Sequence, residues 1–182
     1  MSQELRQIQR NKMVNITQGE FAVGDRPDSI ISTVLGSCVS VCLWDPKVGI
    51  GGMNHILVAQ IGTGVVGCDS AGVNAMELVI NAIVKMGASR SNLHSKIFGG
   101  AKMIAGLSDV GHKNTIFAEE FLASEGIPCV GKSTGGIAAR QIRFYPYGGK
   151  VLQKTVKVNL EDEKRLLQPK PKVDTGNDME FF

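Results

Sequence analysis

From Met13 onward, short apolar stretches rich in Val and Ile alternate with Gly-rich turns. Residues 14–21, 30–35, 38–44 and 53–61 read as strands, and 96–98, 127–130, 140–146 and 151–158 extend the series. Two segments carry the helical period instead. Val73, Met76, Ile80 and Ile83 form a stripe at spacings of three and four, with Asp69 or Ser70 available as N-cap and Gly87 past the end. Residues 114–125 repeat the design with Phe117, Phe121 and Leu122, and Gly126 stops it. Tyr147-Gly148-Gly149-Lys150 predicts a hairpin between the last two strands. Many strands, two main helices and no strict β-α-β alternation predict an α+β fold: a layered sandwich whose helices cover a mixed, largely antiparallel sheet.

Residues 1–12 read as a polar lead-in, 13–158 as one domain, and 159–182 as a charged mobile tail with Pro169 and Pro171. The chain has 182 residues, of which 43% are hydrophobic and 20% charged, which excludes wholesale disorder and suits a single core. A net charge of +3 is too small to argue for a nucleic-acid partner. No apolar run reaches the ~20 residues of a membrane span, and the first residues lack the apolar core of a signal peptide. A cytoplasmic protein without membrane insertion is expected. The cysteines at 38, 42, 68 and 129 show no paired C-x-x-C spacing, so neither zinc nor disulfides are expected.

Two motifs mimic nucleotide sites. Residues 126–133 fit G-x-x-x-x-G-K-[ST], yet a helix precedes the first Gly and a strand occupies the supposed loop, the reverse of what phosphate binding needs. Gly62-x-Gly64-x-x-Gly67 lacks the acidic residue ~20 positions on and reads as a glycine loop. Cys42 and Cys129 lie within apolar strands as small hydrophobes, and Cys68 has no evident base. Cys38 follows Gly36-Ser37 where one strand ends and the next begins, so a turn can present its sulfur together with backbone N–H groups. His112 opens a helix and His94 leads into a strand, whereas His55 lies in the strand after Cys38. A hairpin turning about residues 45–48 would set Cys38 directly opposite His55, with Cβ atoms ~4.5–5.5 Å apart. Such a pair needs a third polar group to orient the imidazole. Thr33 and Ser32 are the nearest candidates, and Asn54 points to the other face of a regular strand.

The stretch Thr33-Val34-Leu35-Gly36-Ser37-Cys38-Val39-Ser40-Val41-Cys42-Leu43-Trp44-Asp45-Pro46, followed by Gly51-Gly52-Met53-Asn54-His55, resembles the CheD family of chemoreceptor glutamine deamidases. Agreement continues through Ala75-Met76, Lys96-Ile97-Phe98-Gly99-Gly100-Ala101, Gly111-x-x-Asn114 and Gly135-Gly136-x-x-x-Arg140, so it spans residues 15–158. The resemblance implies an α/β/α-type layered fold related to toxins that deamidate host GTPases. It implies a Cys-His-Thr triad with Cys38 as nucleophile and His55 as base, without cofactor or metal. The third member is Thr33, since Thr-x-x-Gly-Ser-Cys matches one form of the family motif with a gap in the alignment; Ser32, without the gap, is the alternative. Ser133 stands where many relatives have Asp, and Ala139 where Gly is common.

As chemistry, the resemblance implies attack of Cys38 on a receptor glutamine carboxamide, loss of ammonia and hydrolysis of the thioester to glutamate. Receptor glutamate methyl esters would pass through the same intermediate. Methyl-accepting chemotaxis receptors are the implied substrates, and a CheC-type phosphatase of phosphorylated CheY is an implied partner. A regulatory module that docks this phosphatase is the alternative function. The tail ends in Phe181-Phe182 behind Asp174, Asp178 and Glu180, a pattern that suits either docking or an incidental frayed end.

Overall fold

The computed structural model describes residues 6–7, 13–58, 70–104 and 109–167. Ten strands run in the order β1 (Arg6–Gln7), β2 (Met13–Asn15), β3 (Phe21–Gly24), β4 (Ile30–Leu35), β5 (Val39–Asp45), β6 (Ile50–Asn54), β7 (His94–Gly99), β8 (Cys129–Thr134), β9 (Ala139–Tyr145) and β10 (Lys150–Val156). Three α-helices join them: α1 (Ser70–Lys85), α2 (Val110–Ser124) and α3 (Leu160–Leu167). The first strand of the sequence reading divides into β2 and β3, α2 begins four residues early, and α3 occupies the start of the charged tail. The glycine loop at 62–67, Cys68 and the end of the tail lie outside the described residues.

The strands divide between two mixed sheets. Six form one sheet in the order β1-β3-β6-β5-β7-β8, and four form the other in the order β10-β9-β4-β2. The α+β class, the mixed pairing and the two main helices are as the sequence implies. The four-stranded sheet packs on one face of the larger sheet. Strand alternation explains this. Ile31 and Leu35 of β4, with Ile142 and Phe144 of β9, share a core with Cys38, Cys42, Met53 and Phe98 of the large sheet. The other face of that sheet, through Val39, Val41, Leu43 and Ile97, packs on Met76, Val79, Ile80 and Ile83 of α1 and Ala118, Phe121 and Leu122 of α2. Strand β5 is buried along its whole length because it is covered on both sides.

Local chemistry sets the ends of these elements. Asp109 caps α2 by accepting the His112 N–H at 3.0 Å. At the other end Gly126 takes φ +66, and the Ile127 N–H reaches back to the Leu122 carbonyl at 2.9 Å, as a Schellman ending requires. With that helix before Gly126 and β8 running through Cys129–Thr134, the P-loop look-alike is a helix-to-strand connection. The predicted hairpin is present: β9 and β10 pair antiparallel from Tyr145↔Lys150 to Ala139↔Val156.

Two glycines with positive φ separate backbone strain from steric exclusion. A Cβ on Gly126 meets nothing, whereas one on Gly149 would fall into the Trp44 indole. Gly126→Ala should therefore cost only the strain of a left-handed residue, about 1 kcal/mol. Gly149→Ala adds overpacking and should cost about 2–4 kcal/mol in urea denaturation. Equal losses would mean that the Trp44 contact does not limit this turn.

Candidate active site

The β5–β6 hairpin carries the candidate thiol and imidazole, and its register places them. Asp45 pairs with Ile50, Cys42 with Met53 and Val39 with Ile56. The expected direct pairing of Cys38 with His55 is thus shifted by two residues, so that Ser40 stands opposite His55 and Cys38 lies on the diagonal. The cause is the turn. It spans residues 46–49, one residue further than the motif suggested, with Gly49 at φ +69 and its N–H on the Asp45 carbonyl at 3.0 Å. A shift of two preserves the face, since side chains alternate with period two. Diagonal positions are about 7–8 Å apart between Cα atoms, within reach of an imidazole. Both residues face the smaller sheet. Cys38 is 2% exposed and His55 6%.

Thr33, on β4 of that smaller sheet, meets His55 across the interlayer space. Its Oγ1 lies 2.8 Å from His55 Nδ1. The same oxygen lies 2.7 Å from the Ile16 carbonyl. A carbonyl only accepts, so the single hydroxyl proton of Thr33 goes to Ile16. Toward His55 the hydroxyl can then only accept, which puts the ring proton on Nδ1 and leaves the lone pair on Nε2. Nε2 is buried without a hydrogen-bond partner among the described residues. The backbone of His55 is held on both sides, its N–H donating to the Glu20 carbonyl at 3.0 Å and its carbonyl accepting the Gly19 N–H at 2.8 Å.

Ser32 does not share this position. It alternates with Thr33 on β4, and its buried Oγ has no hydrogen-bond partner among the described residues. Asn54 faces the helices, as expected: Oδ1 accepts the Val41 N–H at 2.9 Å and Nδ2 points to Met76 Sδ at 3.2 Å.

Electrostatics separate the candidates further. Burial pushes the His55 imidazole down to about 4, and the Glu20 carboxylate nearby offsets only part of that effect. The ring is neutral at pH 7, as a proton acceptor must be. Burial holds the Cys42 thiol well above its ordinary range despite Lys96, so Cys42 is inert packing. Cys129 is exposed on β8, with Sγ 3.4 Å from the Gly131 carbonyl. His94 lies against Trp44 with ring centroids 5.8 Å apart, and the His112 backbone belongs to the α2 cap. No group of three or more metal-ligating side chains occurs among the described residues.

Sequence reasoning did not assign roles to Ile16, Glu20 or Asn114, all of which meet the site. Asn114 stood within a quoted motif, and its buried carboxamide holds the turn before Cys38. Ile16 contributes only a backbone carbonyl, for which no side-chain signal exists.

A buried thiol on the same hairpin face as a neutral imidazole, with that imidazole oriented by a third side chain, suits thiol-dependent acyl transfer. A family model described as CheD chemotactic sensory transduction matches residues 70–155. A "Probable chemoreceptor glutamine deamidase CheD" of Caulobacter sp. (strain K31) is 49% identical over 174 residues, covering 93% of this chain and 92% of that protein. The protein of the same description from Agrobacterium fabrum is 47% identical over 179 residues, covering 94% and 97%. A solved Bacillus licheniformis hypothetical protein, YfiH, overlaps 65% of this chain and 49% of its own at 14% identity, with a TM-score of 0.41. The chain belongs to the CheD family.

Burial of a neutral His55 has a consequence for stability. The unfolded chain binds this proton near pH 6.5 and the folded one only near 4, so between these values the unfolded state holds more protons. The contribution is complete above pH 6.5 and is lost as the pH falls toward 4, by about 3 kcal/mol in total. Denaturation of wild type and His55→Gln between those limits should show a steeper acid loss in wild type. Parallel curves would mean that His55 does not titrate as a buried neutral group.

Proposed function

We propose that this protein is a chemoreceptor glutamine deamidase, in which Cys38 is the nucleophile, His55 the base and Thr33 the residue that orients His55. The tautomer of His55 supports this reading, because it leaves the lone pair on the nitrogen away from Thr33, in a residue that shares a hairpin face with Cys38. The deamidase descriptions of close relatives along nearly the whole chain supply the substrate class.

The reaction starts from a neutral thiol and a neutral imidazole, since a ring titrating near 4 does not sustain a resting imidazolium at pH 7. His55 Nε2 takes the Cys38 proton as sulfur attacks the glutamine side-chain carbonyl carbon. The carbonyl electrons move to oxygen, where backbone N–H groups beside Cys38 stabilise the charge by ~3–4 kcal/mol per donor. The imidazolium, transiently favoured by the Glu20 carboxylate, returns its proton to the departing nitrogen and ammonia leaves. Water, deprotonated by His55, then attacks the thioester, and the C–S bond breaks to yield glutamate and the free thiol. A glutamate methyl ester enters by the same attack and leaves methanol instead of ammonia. None of these steps uses a metal or cofactor.

Methyl-accepting receptors are the substrates, and their cytoplasmic portions are the accessible part for an enzyme acting in the cytoplasm. None of the described helices is long and apolar enough to cross a membrane. Residues 13–158 carry the chemistry, and the tail from residue 159 takes no part in it. No observation favours phosphatase docking over catalysis as the primary role.

Incubation with a purified receptor cytoplasmic fragment should raise the mass of target peptides by ~1 Da per glutamine and release ammonia. Cys38→Ala should abolish both, while Cys42→Ala and Cys129→Ala retain them; ammonia release by a folded Cys38→Ala protein would refute the mechanism. Thr33→Val should lower kcat by ~10²-fold with little change in KM, and Ser32→Ala should not. A larger defect at Ser32 would move the orienting role there.

A further inference from the structure

Three donors hold three successive carbonyls at the turn that presents Cys38. The Ala101 N–H donates to the Gly36 oxygen at 2.9 Å, and the Gly100 N–H to the Cys38 oxygen at 2.8 Å. Between them, the Ser37 oxygen is taken by a side chain: Asn114 Nδ2 donates to it at 2.9 Å. The same carboxamide accepts the Val58 N–H on Oδ1 at 3.0 Å. One fully buried group from α2 therefore ties the turn before Cys38 to the backbone that follows His55. Its orientation is not ambiguous, since only the amide NH2 can donate to a carbonyl and only the oxygen can accept an N–H.

The helix is seated closely enough to make this contact firm. A Cβ on Gly111, in the first turn of α2, would collide with the backbone of Gly100 and Ala101. Gly99 and Gly100 take φ +108 and +67, so the loop that grips the Cys38 turn depends on glycine at both positions.

The Ser37 carbonyl and the Cys38 N–H belong to one trans peptide, in which the two groups point in opposite directions. A donor that fixes the carbonyl therefore also aims the N–H. Hydrogen bonding at the oxygen further polarises the unit and strengthens the N–H as a donor. When a nucleophile adds to a carbonyl, its own backbone N–H is well placed to meet the oxyanion that forms beside it.

We propose that Asn114 is a positioning residue for the deamidation: its Nδ2 locks the Ser37–Cys38 peptide so that the Cys38 N–H faces the oxyanion of the tetrahedral intermediate. This role rests on Cys38 being the nucleophile. It makes α2, rather than the hairpin alone, part of the catalytic apparatus.

Alkylation of Cys38 by iodoacetamide separates positioning from mere support, because it uses the same thiol and base but builds no oxyanion. Full-length Asn114→Ala and Asn114→Asp are compared with wild type by thermal unfolding, by Cys38 alkylation, and by kcat and KM for ammonia release from a receptor fragment. Both should remain folded and alkylate within about twofold of wild type, while kcat falls ~10–100-fold and KM stays within about twofold. The Asp variant adds a pH signature. Its carboxylate cannot donate to Ser37, but the protonated acid can, so its kcat deficit should shrink from about pH 7 to about pH 5 while that of the Ala variant does not. An unchanged kcat overturns the proposal. So does parallel loss of alkylation and turnover, or failure of both variants to fold, since either makes Asn114 a purely structural clamp. Ammonia release persisting in folded Cys38→Ala is a distinct result that removes the nucleophile reading and this role with it.

Discussion

The site depends on where one proton goes. Thr33 Oγ1 has a single hydrogen, and the Ile16 carbonyl at 2.7 Å takes it. The imidazole of His55, 2.8 Å away, must then donate through Nδ1, which leaves the lone pair on Nε2. The interaction bridges the two sheets, Thr33 coming from β4 and His55 from the residue after β6. Its length is therefore set by the intersheet core, in which Ile31, Leu35, Ile142 and Phe144 meet Cys42 and Met53. Close-packed aliphatic and aromatic side chains resist small displacements, so packing some distance from the site holds a hydrogen bond within it.

Burial works for and against this arrangement. It keeps His55 neutral and able to accept a proton at pH 7. It also leaves Nε2 and the Ser40 Oγ opposite it without hydrogen-bond partners among the described residues. An unsatisfied buried polar group costs about 1–3 kcal/mol, so the fold carries a local deficit at this face of the hairpin. Full burial of a second thiol at Cys42 has the opposite effect, suppressing ionisation and with it any competing reactivity.

Much of the fold was legible because its signals are local. The periods of α1 and α2, the Gly126 stop and the β9–β10 hairpin each depend on a few neighbouring residues, and each is present. What the sequence could not show was nonlocal. Nothing within β4 or the β9–β10 hairpin says that β4 pairs with β9 and that these strands leave the larger sheet. The hairpin register was misplaced by two because the whole turn, residues 46–49, sits one residue further along the chain than one centred on Pro46-Lys47. Cys38 and His55 stay on one face of the hairpin only because the shift was even. Choosing between Thr33 and Ser32 required knowing which face of β4 turns toward the hairpin, and strand alternation does not reveal that until the partner sheet is known. Asn114 was hidden for the same reason: the bond to Ser37 is made by the tertiary fold, not by spacing along the chain.

The account stands or falls on the His55 tautomer. Side-chain 15N NMR of the free protein at neutral pH, with His55→Gln for assignment, reads it directly. The account predicts a neutral ring with the proton on Nδ1 and a bare Nε2. It also predicts that Thr33→Val disturbs this preference while the fold is retained. A ring protonated on Nε2, or an imidazolium at neutral pH, would contradict it, because neither leaves a lone pair on Nε2 to take the proton of Cys38.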